Sequence, residues 1–122
     1  MNNRERPIII FEDDGGWLTQ LSGLLTDFGY VVYRTANSME GAIDVLGQVS
    51  ELKNPLFFLD ANLQPYDESG KDGKSLAEMI RAANLGATII GLSDSKQPYV
   101  DHEMGKQGIR KLPTILKKIE VG

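Results

Sequence analysis

The chain has 122 residues, with 13 basic and 17 acidic side chains and a formal net charge of −4 at pH 7. This length fits one domain over residues 1–122 and is too short for an enzyme with an added substrate domain. The acidic balance, without a broad cluster of Lys or Arg, argues against direct binding to nucleic acid.

The residue types also limit the metal chemistry and the location. The chain contains no cysteine and one histidine, His102, which excludes disulfides and zinc sites built from Cys or several His. Any metal would therefore be bound by oxygen ligands. The longest apolar runs have the length of strands, and the polar N-terminus lacks a hydrophobic signal region. We expect a soluble, cytoplasmic protein without a membrane span.

Short apolar runs alternate with helical patterns along most of the chain. Near-continuous β-branched and aromatic runs predict buried parallel strands at residues 8–11, 30–33, 56–59 and 87–92. Between them, apolar residues recur every three or four positions; Gly29 ends the first helix and Ser38 caps the second. The predicted helix faces comprise Trp17, Leu18, Leu21, Leu24, Leu25 and Phe28; Met39, Ala42, Ile43 and Leu46; and Leu76, Met79, Ile80 and Ala83.

Beyond Leu92 the pattern weakens. It predicts a short helix within residues 97–108, in which His102 would be a surface residue, then a short fifth strand at 109–111 and a last helix at 114–119. Strands that alternate with helices favour an α/β fold, a doubly wound parallel sheet with helices on both faces. In such sheets the functional crevice lies beyond the carboxyl ends of the strands.

Polar side chains follow the predicted strands at that edge. The first strand runs directly into three acids in "IIIFEDDGG", residues 8–16. The residues expected to converge are Glu12, Asp13, Asp60, Ser93 and Lys111, with Asp14 directed toward solvent. Crowded carboxylates repel one another unless a cation compensates, and oxygen ligands with open positions suit Mg²⁺. The sequence therefore predicts a Mg²⁺ site at the end of the first strand.

These segments together resemble the receiver domain of two-component response regulators, the CheY-like family. The resemblance covers nearly the whole chain and rests on "FEDD", "GYVVYRTANSMEGAIDVL", "LFFLDANL", "GLS" and Lys111. It implies a five-stranded sheet in the order 2-1-3-4-5. It also implies a signalling domain that catalyses its own phosphorylation and dephosphorylation rather than an enzyme with a separate substrate.

The resemblance also implies roles for individual residues. Asp60 matches the phospho-accepting aspartate. The remaining matches are Glu12 and Asp13, which bind Mg²⁺ with Asp60; Asn62, which lends a main-chain carbonyl to the metal; and Ser93 and Lys111, which contact the phosphoryl group. The donor would be a sensor histidine kinase or a phosphotransfer protein. The output would go to a downstream protein target or to an effector domain outside this sequence.

The sequence departs from the family at several positions. The loop over residues 61–73 is longer than usual, and Asp94 adds a negative charge directly after Ser93. Gly108 stands where the family has an aromatic residue, and Leu112 follows Lys111 where it has a proline. The segment before Lys111 is also short, so Lys106 stays open as an alternative.

Two other functions remain open. Residues 68–75, "ESGKDGKS", partly match a phosphate-binding loop through Gly73, Lys74 and Ser75, although Glu68 occupies the first glycine position. The chain could also be a pseudo-receiver, a protein-interaction module that keeps the fold and works without phosphorylation.

Overall fold

A computed structural model describes residues 5–63, 69–83, 86–94, 96–105 and 109–121. Its strands are β1 (Ile8–Phe11), β2 (Val32–Ala36), β3 (Leu56–Leu59), β4 (Thr88–Gly91) and β5 (His102–Glu103). They form one parallel sheet in the order β2-β1-β3-β4-β5. The predicted fold class and strand order are confirmed.

In the described ranges, four α-helices connect or follow these strands. They are α1 (Gly15–Asp27), α2 (Met39–Val49), α3 (Lys71–Ala83) and α4 (Leu112–Val121). The predicted ends of the first helices are present: Gly29 follows α1 with φ of 91°, a conformation that favours glycine. Ser38 caps α2, because its Oγ accepts the N–H of Gly41 at 3.1 Å.

The sheet separates two apolar cores. Ile8 and Ile10 of β1 face a core that includes α1 and α4, whereas Ile9 and Phe11 face a core with α2 and α3. All four side chains are fully buried, and burying a side chain of this size stabilises the fold by about 1.5–3 kcal/mol. Buried on both faces, β1 provides a rigid base for the acids that follow it.

The last part of the sheet differs from the prediction. The fifth strand is His102–Glu103, and residues 109–111 form a 3₁₀ turn that leads directly into α4. Among the described residues between β4 and β5 there is no helix. The predicted helix within residues 97–108 is therefore wrong for residues 97–105, which the structure describes. His102 is half-buried in a strand rather than on a surface helix.

Smaller corrections concern β2 and two helix faces. β2 begins at Val32, two residues later than predicted, and pairs with β1 along only one side because it is an edge strand. Ile43 and Met79 were predicted to pack in the core but are 46% and 42% exposed. No helix in the part of the chain that the structure describes has the length and apolar character needed to cross a membrane.

Candidate functional site

Three carboxylates lie together at the carboxyl ends of β1 and β3. These strands are neighbours, with Phe11 opposite Leu59, so the residues that follow them leave the sheet side by side. Glu12 is fully buried, Asp60 is 4% exposed and Asp13 is exposed. One carboxylate oxygen from each lies within 4.8 Å of the other two. The predicted convergence of Glu12, Asp13 and Asp60 is therefore present.

Main-chain hydrogen bonds fix this cluster. The N–H of Asp60 donates to the carbonyl oxygen of Phe11 at 2.9 Å, and the N–H of Glu12 donates to that of Ala36 at 3.0 Å. The carboxylate of Glu12 also accepts the N–H of Asp14 at 3.1 Å. The sheet ladder thus extends past the strand ends and holds two acidic side chains in defined positions.

The donor set fits a hard divalent cation. Like charges this close destabilise one another in the absence of a counter-charge. Three carboxylates offer the oxygen ligands that Mg²⁺ prefers, and exposed Asp13 gives the cluster an open side where water or a phosphoryl oxygen could complete the coordination. These residues therefore could hold Mg²⁺.

Asp14 has a different role from its two acidic neighbours. It is exposed, as predicted, and it is the N-cap of α1, since its Oδ1 accepts the N–H of Trp17 at 3.1 Å. A carboxylate at this position satisfies a helix donor and interacts favourably with the helix dipole. The run of three acids therefore contains two members of the cluster and one helix cap.

The start of α3 packs against the residues that follow Asp60. Asp72 is buried and its Oδ2 accepts the N–H of Leu63 at 3.2 Å, while the N–H of Gly73 donates to the carbonyl oxygen of Ala61 at 2.9 Å. A Cβ on Gly73 would lie 2.9 Å from the carbonyl oxygen of Asp60. Only glycine fits there without displacing the backbone of the site.

Asn62 closes the long loop rather than pointing freely outward. Its side-chain oxygen accepts the N–H of Gly70 at 2.8 Å, and its own N–H approaches Oδ1 of Asp60 at 3.5 Å. The two ends of the loop are therefore joined close to Asp60. The predicted use of the Asn62 carbonyl as a metal ligand stays a prediction.

Ser93 lies at the same edge of the sheet. Leu92 donates its N–H to the carbonyl oxygen of Leu59 at 3.0 Å, so Ser93 leaves β4 next to the chain that carries Asp60. The N–H of Ser93 donates to the side-chain oxygen of Gln97 at 3.0 Å. Its proposed contact with a phosphoryl group stays a prediction.

Gln97 and Tyr99 belong to the site, although neither was predicted from the sequence. Gln97 is 2% exposed, and its Nε2 donates to the hydroxyl of Tyr99 at 2.9 Å. The pKa of Tyr99 is raised chiefly by burial and further by the charge of Asp60, against the effect of the Gln97 hydrogen bond, so this hydroxyl stays protonated at neutral pH. Both residues lie in a polar loop without apolar periodicity, and no sequence signal distinguishes them.

Lys111 does not stand at the end of the fifth strand, the position on which its predicted place in the site depended. This residue was predicted to end the fifth strand, but it is exposed in the 3₁₀ turn before α4. The strand instead ends at Glu103, which Lys106 follows more closely in the sequence. Lys106 and Gly108 both lie outside the described residues. Asp94 is exposed and lies beside Gly105.

Searches with protein-family models and against curated proteins each find no match. Solved structures do match. A two-component response regulator from Clostridium difficile is 22% identical, with 94% of this chain and 95% of that chain covered and a TM-score of 0.73. The chain has the CheY-like receiver fold.

Two further similar structures contain components that bear on the site. TrrA from Thermotoga maritima, in complex with Mg²⁺-BeF, is 24% identical, with coverage of 93% of this chain and 98% of that chain and a TM-score of 0.70. The complex of CheY6 with the phosphorylated P1 domain of CheA3 from R. sphaeroides matches at 13% identity, with coverage of 96% and 98% and a TM-score of 0.73. At these identities the similarity establishes the fold.

Proposed function

We propose that the protein is a response regulator receiver that accepts a phosphoryl group on Asp60 in a Mg²⁺-dependent reaction. The observation that carries this proposal is the carboxylate cluster of Glu12, Asp13 and Asp60 at the ends of adjacent strands in a receiver fold. A fold alone hosts many functions, so the argument rests on this site.

Asp60 is the nucleophile in this proposal. A carboxylate oxygen attacks the phosphorus of a phosphohistidine, and the bond between phosphorus and the imidazole nitrogen breaks. The electron pair of that bond stays on the nitrogen, which takes up a proton, and an acyl phosphate remains on Asp60. Because phosphoryl transfer depends mainly on positioning and charge, a carboxylate held by the sheet ladder is suited to the task.

The other residues of the cluster serve the metal. Mg²⁺, when bound, neutralises charge on the phosphoryl oxygens. Glu12 and Asp13 would hold it together with Asp60 and the carbonyl of Asn62. Ser93 would donate its hydroxyl to the phosphoryl group. The lysine expected from the resemblance stays a prediction, and in the sequence Lys106 follows the end of β5 more closely than Lys111 does.

The proposed donor is a histidine kinase or a phosphotransfer protein. This inference draws on the similar complex between CheY6 and the phosphorylated P1 domain of CheA3. We propose that phosphorylation alters binding to another protein and that the domain acts in the cytoplasm. The direct test is incubation with the small phosphodonor phosphoramidate and Mg²⁺, followed by the intact mass of the protein.

One observation favours a second candidate, the phosphorylation-independent interaction module. The described residues between β4 and β5 contain no helix, so this part of the surface differs from the one predicted from the sequence. The same phosphodonor experiment separates the two candidates. Nucleotide binding by residues 68–75 as a phosphate-binding loop is disfavoured, because such a loop uses main-chain N–H groups and the N–H of Gly73 already donates to the carbonyl oxygen of Ala61.

A further inference from the structure

A cavity of about 540 Å³ lies beside the carboxylate cluster, between the start of α3 and the connection from β4 to β5. Its described walls are Ala61, Asn62, Ser69, Gly70, Lys71, Lys74, Lys96, Pro98 and Tyr99. Pockets that bind small molecules occupy about 300–1,000 Å³. The cavity is therefore large enough for a metabolite.

The cavity exists because of how the connection from β4 to β5 runs. No helix covers the sheet in the described part of this connection, and Tyr99 packs against the α2 and α3 core in its place. Its hydroxyl is held by Gln97, and its carbonyl oxygen accepts a hydrogen bond from Arg81 of α3 at 2.9 Å. One wall is thus fixed by hydrogen bonds at both ends of the same residue.

The charged side chains in the described lining of the cavity are lysines. Lys71 and Lys74 are one turn apart at the start of α3, and Lys96 lies across the cavity on the connection. All three are exposed, and the described lining includes no Asp or Glu. The described lining is therefore positive at its lysines, while the charge of Asp60 acts on Tyr99 in the same lining. Lysine is a common ligand of phosphate groups, which it binds as a point charge.

The remaining wall is apolar and partly aromatic. Ala61, Pro98 and the ring of Tyr99 contribute it. A pocket with a few charged groups at one side and apolar surface at the other orients a ligand that has both characters. A ligand that fits this cavity is therefore an organic anion with a compact charged group and a flat apolar part.

We propose that this cavity binds a small phosphate-bearing molecule of about the size of a nucleoside monophosphate. Lys71, Lys74 and Lys96 bind the phosphate, and the ring of Tyr99 packs against the organic part. The volume of the cavity suits a small molecule. The site adjoins the carboxylate cluster but does not include its three carboxylates, and binding does not depend on phosphorylation of Asp60.

The cavity shares a wall with the proposed phosphorylation site. Ala61 and Asn62 line it and directly follow Asp60 in the chain. A ligand held there contacts the same loop whose ends Asn62 joins. An occupied cavity would therefore affect the conformation of the loop next to Asp60.

Isothermal titration calorimetry tests the proposal, with AMP, pyrophosphate and adenosine as probes. The titrations are made without Mg²⁺ and repeated with Asp60→Asn, so that binding at the carboxylate cluster does not contribute. The test variant combines Lys71→Met and Lys74→Met. Its matched control combines Lys117→Met and Lys118→Met, which removes the same number of positive charges. These two residues lie on α4, which packs on the other face of the sheet.

We expect AMP to bind with a stoichiometry of one and adenosine not to bind. The variant with Lys71→Met and Lys74→Met on α3, the α3 variant, should bind AMP at least about tenfold more weakly, because it loses hydrogen bonds from charged groups to the phosphate. The α4 control should bind like the wild type. Pyrophosphate binding as tight as AMP, with the same dependence on the lysines, would support the phosphate site and contradict the packing of an organic part against Tyr99.

Two results would overturn the proposal. One is the absence of binding by AMP and pyrophosphate at millimolar concentration, which would also be the outcome if the cavity took only a phosphorylated protein segment. The other is equal binding by the α3 variant and the α4 control. Neither result bears on phosphorylation of Asp60, which a separate mass measurement reports.

Discussion

The side-chain amide of Gln97 donates to the carbonyl oxygen of Leu59 at 3.3 Å, across 38 residues of chain. Leu59 is the last residue of β3 and precedes Asp60. The same amide group accepts the N–H of Ser93 at 3.0 Å, so one buried side chain joins the ends of β3 and β4. Gln97 therefore links the ends of β3 and β4 by side-chain hydrogen bonds, beyond the point where the main-chain hydrogen bonds between the two strands end.

Gln97→Ala should destabilise the protein strongly. The change removes the hydrogen bonds of the Gln97 amide to Ser93 and Tyr99 and empties the buried position of this side chain, although the carbonyl oxygen of Leu59 keeps the N–H of Leu92. Each hydrogen bond lost at such a site is worth about 1–3 kcal/mol. We expect the free energy of unfolding in urea to fall by about 3 kcal/mol. The control is Gln48→Ala, where the glutamine is exposed and the change should stay within about 0.5 kcal/mol. Equal effects for both variants would contradict the role of Gln97.

Two glycine substitutions should have opposite effects on stability. Gly73→Ala places a Cβ against the Tyr99 hydroxyl and 2.9 Å from the Asp60 carbonyl oxygen, and should destabilise by about 2 kcal/mol. Gly47→Ala lies inside α2, where a Cβ meets nothing within 4 Å, and should stabilise by about 0.5–1 kcal/mol through the lower entropy of the unfolded chain. Both positions are helical, so the gain from replacing glycine by alanine in a helix is similar at both. The difference between the two variants in thermal and urea unfolding therefore measures the cost of the steric clash at Gly73. A stabilised Gly73→Ala would refute the close packing of α3 on the site.

Asp14 should matter for stability and not for metal binding. Asp14→Ala removes the N-cap of α1 and should lower the free energy of unfolding by about 1 kcal/mol. Asp14→Ser keeps a capping oxygen and should lose much less. Mg²⁺ affinity, measured by calorimetry, should be the same in both variants and in the wild type. Weaker Mg²⁺ binding in Asp14→Ser would place this carboxylate among the metal ligands.

The carboxylate cluster should give a stability effect whose sign depends on Mg²⁺. Without the metal, Asp60→Asn removes like-charge repulsion and should raise the free energy of unfolding by about 1 kcal/mol. With Mg²⁺ the wild type should gain stability according to its affinity, and the variant should gain little. Glu12→Gln with Asp13→Asn should also bind Mg²⁺ at least about tenfold more weakly, since two of three ligands are lost.

Asp27→Asn, at the exposed end of α1, is the control for the loss of one negative charge. It should respond to Mg²⁺ like the wild type. Equal stabilisation of the wild type and Asp60→Asn by Mg²⁺ would show that the cluster is not the metal site.

The central part of the fold could be predicted because its signals are local and strong. β1 and β3 are continuous apolar runs, and parallel strands buried on both faces have that pattern. The acids that follow them could be placed because neighbouring parallel strands end at one edge. The cap at Ser38 rests on its side-chain oxygen and the helix end at Gly29 on the tolerance of glycine for positive φ, and both properties can be read from the residue type.

The region after β4 could not be predicted, because its structure is decided by contacts between distant segments and not by local sequence signals. β5 contains two residues, His102 and Glu103, whose pairing with β4 is decided by the rest of the sheet and not by their own propensity. Residues 109–111 contain an apolar residue followed by basic ones, which suggested a strand, but they continue into α4. Gln97 owes its burial to hydrogen bonds between distant segments, which no periodicity in the sequence reveals.

The most direct test of the central claim is the intact mass after incubation with phosphoramidate, with and without Mg²⁺, for the wild type and Asp60→Asn. A well-characterised receiver that reacts under the same conditions serves as the positive control. We predict that the wild type gains one phosphoryl group only with Mg²⁺ and that Asp60→Asn gains none. An unmodified wild type beside a phosphorylated control, or an equal gain by Asp60→Asn, would contradict the account.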